Sequence, residues 1–77
     1  MKRSAEEIKA RCSCIFGNER IVFIVGESSS PTAAYEMVFA EVKDVTKAKA
    51  GRWLAVLRRD YPSEYSELIQ STLSHAQ

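Results

Sequence analysis

A serine followed by a proline, Ser30-Pro31, divides the chain at the point that most limits its fold. The Ser30 hydroxyl can accept a backbone N–H as a helix N-cap, and Pro31 suits the first helical position, where its missing N–H costs nothing. A helix therefore starts here. Ala34, Tyr35, Val38, Phe39, Val42 and Val45 follow at spacings of three and four, which predicts a long central helix from residue 31 to about residue 48. The small residues of KAKAG, residues 47–51, are expected to end it at Gly51. The pattern then resumes in RWLAVLRRDY, with Trp53, Leu54, Val56 and Leu57 on one side and Arg52, Ala55 and Arg59 opposite. Pro62 breaks that pattern and opens a last helix with Tyr65, Leu68, Ile69 and Leu73 as its buried stripe, and SHAQ reads as a fraying end.

On the N-terminal side, Ser4 with Glu7 has the form of a capping box, and Ala5, Ile8, Cys12, Ile15 and Phe16 continue at helical spacing. This predicts an amphipathic helix over residues 5–16, with Gly17 and Asn18 as its left-handed stop. The apolar run IVFIV, residues 21–25, fits either a buried strand or a buried short helix. As a strand it would need a partner, and CSCIF turning through Gly17 and Asn18 is the nearby candidate, which would consume half of the first helix. The expected fold is thus a compact all-α single domain, residues 1–77, of four to five short helices. The alternative is an α+β fold with a β-hairpin around residues 14–25 packed on three helices.

Size narrows the function classes. A chain of 77 residues buries only about 60% of the surface its unfolded form exposes, so its core leaves little room for a catalytic pocket. Carboxylate pairs occur at Glu6 with Glu7 and at Glu64 with Glu67, but both pairs fall in helix first turns, where the helix dipole favours negative charge. GESSS lacks the glycine that must follow the serine of a nucleophile elbow, and it lacks the lysine of a phosphate loop. Glu27 would repel an anion from the helix start beside it. Cys12 and Cys14 are too close for an unstrained disulfide, and a zinc site needs four ligands where His75 is the sole histidine. On a helix the two thiols point about 200° apart, so Cys12 belongs to the core and Cys14 to a less buried side. These features predict no enzyme, no cofactor and no metal. The lack of a targeting segment or a long apolar stretch, with reduced cysteines, predicts a cytoplasmic protein that does not enter the membrane.

Charge supplies the positive expectation. Residues 43–59 carry Lys43, Lys47, Lys49, Arg52, Arg58 and Arg59 against Asp44 alone, although the whole chain has a net charge of only +1. The residues expected to bind a partner are Lys43, Lys47, Arg52, Trp53, Arg58 and Arg59, as a cationic helical surface for the acidic face of a larger protein. In this reading the protein is a small regulator or inhibitor that works by stoichiometric docking. Nucleic acid is the alternative partner, and a homodimer that covers the apolar run near residue 23 is a further expectation.

The segment IVFIVGESSSPTAAYEMV resembles a helix-turn-helix in spacing, with Gly26 at the turn, Ser28 two residues on and Tyr35 nine on. That resemblance implies a second helix entering the DNA major groove. Its exposed positions would be Ser28, Ser29, Ser30, Thr32 and Glu36, none of which is a cation or an amide, and Val22 stands where the motif prefers a small residue.

Overall fold

Four of the helices begin on a polar side chain that satisfies a backbone donor of the first turn. Ser4 accepts from Glu7 N–H at 3.2 Å and starts α1 (Ala5–Arg11). Asn18 accepts from Ile21 N–H at 3.1 Å and starts α2 (Glu19–Glu27). Ser30 accepts from Ala33 N–H at 3.1 Å and, with Pro31, starts α3 (Pro31–Val42). Asp44 accepts from Thr46 N–H at 2.9 Å and Lys47 N–H at 3.2 Å and starts α4 (Val45–Asp60). The last helix, α5 (Pro62–His75), opens on its proline. The computed structural model describes residues 3–75, with side chains through Thr72, and contains no strand among them. The fold is all-α with five helices.

The alternative hairpin over residues 14–25 is overturned by α2. Four of the five apolar residues, Ile21, Val22, Ile24 and Val25, are buried on a helical face and Phe23 points outward, 60% exposed. A helix pairs its own backbone, whereas a lone strand here would have left its polar groups unmet. Asn18 also serves the opposite end from the one expected: it caps α2 and does not stop α1, and neither it nor Gly17 takes a left-handed conformation. The helix expected over residues 5–16 stops at Arg11 and tightens into a single 3-10 turn, Ser13–Ile15, which still buries Cys12 and Ile15.

The larger correction concerns the helix expected to run from 31 to about 48. It breaks at Lys43, whose left-handed φ of 50° ends α3 while its N–H donates to Phe39 C=O at 2.7 Å. Asp44 restarts the chain at once, so Lys47 lies in a first turn and not a last one. Gly51 sits mid-helix in α4. A Cβ at Gly51 would approach Val38 Cγ2 of α3 to 2.8 Å and Val25 Cγ2 of α2 to 3.6 Å, so the glycine is there for the close approach of three helices. Ala48 and Ala55 lie buried on the same face of α4, and Ala34 faces the interior from α3. The small residues of KAKAG make a packing seam, not a terminus. Ala55, expected beside Arg52 and Arg59, is likewise buried.

Helix α4 is the hub, in contact with every other helical element. Its Leu54 and Leu57 are fully buried among Ile8, Ile15, Ile21, Val25 and Val38. Tyr65, Leu68 and Ile69 of α5 pack half-buried against this core; the side chain of Leu73 lies outside the described residues. The backbone is helical to His75, further than the fraying end expected, and Ala76 and Gln77 lie outside the described residues. No helix among the described residues is long and apolar enough to cross a membrane.

Candidate functional site

At about 100° per residue, Lys49, Arg52, Trp53, Val56, Arg59 and Asp60 fall within about a third of the circumference of α4. That sector is turned toward the N-terminal segment. Between them lies a cleft of about 500 Å³ with Ile8, Trp53 and Val56 as its apolar lining. Among the described residues, Arg3, Lys49, Arg52 and Arg59 supply its cations and Asp60 a carboxylate.

Trp53 organises the charge around this cleft. The guanidinium of Arg3 lies 5.4 Å and that of Arg11 5.0 Å from its ring centroid, within the range at which an aromatic quadrupole attracts a cation. The hydroxyl of Tyr61 donates to the Arg3 carbonyl at 2.7 Å and so ties the start of the chain to the junction of α4 and α5. Arg59 meets Asp60 in a two-point fork, 3.0 Å from Nε and 3.3 Å from Nη2, and that partner pushes the guanidinium still further above its ordinary pKa. Arg3 has the more distant Glu7 at 3.7 Å. Among the described residues, Arg11, Lys49 and Arg52 have no carboxylate within ion-pair distance.

The expected binding residues therefore separate. Arg52, Trp53 and Arg59 come together at the cleft. Lys43 is exposed at the corner between α3 and α4, and Lys47 falls on the far side of α4. Arg58 shares that far side and is consumed by the fold. Its guanidinium donates to the carbonyls of Val25 and Gly26, both at 2.7 Å, and of Ser28 at 2.5 Å, which closes the open C-terminal end of α2. Tyr65 lies against this group; burial raises its pKa and Arg58 partly offsets the rise.

Arg3, Arg11 and Lys49 complete the cluster and were not among the expected residues. The signal for Lys49 was its spacing of three and four to Arg52 and Trp53, hidden by reading Gly51 as a helix end. Arg3 and Arg11 reach the Trp53 ring through the packing of the N-terminal segment and α1 on α4, which no local spacing announces.

The other chemical motifs are absorbed into structure. Ser28 is buried and donates to Val25 C=O at 2.7 Å, and Ser30 caps α3. Arg20, near the start of α2, pairs with Glu41, near the end of α3, at 3.1 Å. Cys12 is buried with its thiol pushed up to about 12, chiefly by desolvation, while Cys14 is exposed. Among the described residues no group of three or more His, Cys, Asp or Glu is placed to hold a metal ion. Compared with protein-family models, with curated proteins and with solved structures, the chain has no match.

Proposed function

We propose that this protein is a non-enzymatic regulator that acts in the cytoplasm by stoichiometric docking on a larger protein, and that the α1/α4 cleft receives an acidic part of that partner. The carrying observation is the set of cations gathered around Trp53, of which Arg11, Lys49 and Arg52 meet no acidic neighbour among the described residues. An array of this kind steers an anionic surface toward the cleft and repels a cationic one. Arg52, Trp53 and Arg59 remain in the proposed surface, joined by Arg3, Arg11 and Lys49; Arg58 is left out because its donors are spent on α2.

The test compares the wild-type chain with Lys49→Glu/Arg52→Glu, using cross-linked capture from the native host and, separately, titration with generic duplex DNA at two salt concentrations. A protein recovered at one-to-one stoichiometry by the wild type and lost by the variant supports docking. Binding to duplex DNA with a steep salt dependence, and no such protein, would replace this reading with a nucleic-acid one, since each phosphate neutralised releases counterions and contributes a slope of about −0.9 in log K against log salt.

A further inference from the structure

We infer that Tyr61 is a positioning residue of the α1/α4 cleft: its hydroxyl latches the N-terminal segment so that the Arg3 guanidinium stands over Trp53 as one of the cations an acidic partner meets. This adds a residue to the docking surface proposed above and rests on that reading for its consequence, while the latch itself is measured with no partner present.

The cations of the cleft are not held alike. Lys49, Arg52 and Arg59 ride on the backbone of α4, and Arg11 on that of α1, so the helices fix where their side chains begin. Arg3 has no such support. Ser4 is set by its role as N-cap of α1, with its hydroxyl accepting from Glu7 N–H and its carbonyl from Ile8 N–H at 3.1 Å. Arg3 lies one position outside, where no helical hydrogen bond sets the direction of the chain. Its carbonyl instead takes the hydroxyl of Tyr61, 58 positions away, at 2.7 Å.

Tyr61 is a firm donor for that bond. Its N–H donates to Leu57 C=O at 2.7 Å and its C=O accepts from Tyr65 N–H at 3.0 Å, so both sides of its backbone are fixed at the junction of α4 and α5. Its ring packs half-buried against the core. The other holds on Arg3 are weak by comparison. Glu7 stands 3.7 Å from its guanidinium with both side chains about half in solvent, where an ion pair contributes little. The Trp53 ring attracts it, but Arg11 stands over the same ring at 5.0 Å, and like charges so placed repel. The backbone tie therefore decides whether Arg3 stays at the cleft.

Trypsin cuts after arginine, so the Arg3–Ser4 bond reports on the latch: its carbonyl is the one Tyr61 holds, and its side chain must leave Trp53 to enter the protease. In native Tyr61→Phe, cleavage there is expected to run at least about threefold faster than in the wild type, the scale of one lost hydrogen bond. Cuts after Lys49 and Arg52, inside α4, should keep their rates. An unchanged rate at Arg3, or equal acceleration at all three sites, overturns the latch.

The consequence is read with poly-L-glutamate at low salt, followed by the emission of Trp53, the sole tryptophan. Tyr61→Phe is expected to weaken binding about threefold, the scale of one exposed charge pair, and to change nothing further in an Arg3→Met background. Equal weakening in both backgrounds, no weakening in either, or no binding by the wild type overturns the positioning role. Host-protein capture lost by Lys49→Glu/Arg52→Glu but untouched by Tyr61→Phe overturns this inference alone. Capture that survives the double charge reversal overturns the docking reading and this inference with it.

Discussion

Arg58 and Arg59 are neighbours in sequence and about 100° apart around α4, and nothing in their local composition separates them. Arg58 turns toward α2 and spends its donors on three carbonyls. Arg59 turns toward the cleft, where among the described residues only Asp60 engages it and much of its side chain stays in solvent. The same division runs along the whole helix. One side carries Ala48, Gly51, Leu54 and Ala55 and is packed so tightly that a single added carbon has no place. The other carries Lys49, Arg52, Trp53 and Val56 and is left open as a cleft. A small domain spends its limited apolar surface on one face of its hub helix, and this leaves the opposite face open to solvent.

The sharpest way to break this contrast is at Gly51. Gly51→Val places branched carbons against Val38, and the overpacking is expected to cost about 3 kcal/mol, a midpoint drop of at least 12 °C by thermal circular dichroism. A variant of unchanged stability would mean that α3 and α4 are not in close approach. Arg58→Met comes next. Losing charge-assisted bonds to the α2 carbonyls should cost about 2 kcal/mol in urea unfolding, whereas Arg59→Met is expected to leave the unfolding midpoint essentially where it is. Equal effects for the two arginines would erase the distinction between the faces.

Cys12 tests the packed side by titration. Its folded pKa, about 12, lies above the ordinary thiol value of 9.0, so the folded state holds the proton more tightly than the unfolded chain. This contribution to stability is complete below about pH 9 and declines as pH rises from 9 toward 12. The melting midpoint should therefore fall over that interval, and Cys12→Ala should flatten the part of the slope that the thiol causes. At neutral pH, Cys14 should be alkylated rapidly in the native protein and Cys12 only on unfolding, which mass spectrometry of each peptide would resolve. The smallest expected effect is on the open side. Arg11→Met removes a cation from the Trp53 ring at a cost of about 0.5 kcal/mol and shifts the tryptophan emission, with the fold retained.

Much of the architecture was legible because it depends on short-range chemistry. Ser4, Ser30, Pro31 and Pro62 each act within a turn of their own position, so their sequence neighbours were enough to place three helix starts. The role of Asn18 was missed since asparagine serves both ends of a helix equally well. The break at Lys43 was missed for a different reason: the apolar spacing carries on from Val42 to Val45 across it, and only the capping carboxylate of Asp44 betrays the restart. Gly51 misled because a glycine at a helix end and a glycine at a helix crossing look alike in sequence; what distinguishes them is Val38, thirteen positions away in the chain.

The sequence by itself determined a helical domain, the position of most helix starts, the burial of Cys12 and a basic middle segment. These follow from local hydrogen bonding and from apolar periodicity, which act over a few residues. Which of those basic residues face a common space was decided only by the tertiary structure. The choice turns on how α1 and α2 lie against opposite sides of α4, and packing between distant segments, not spacing within one, sets the direction in which Arg58 and Arg59 part.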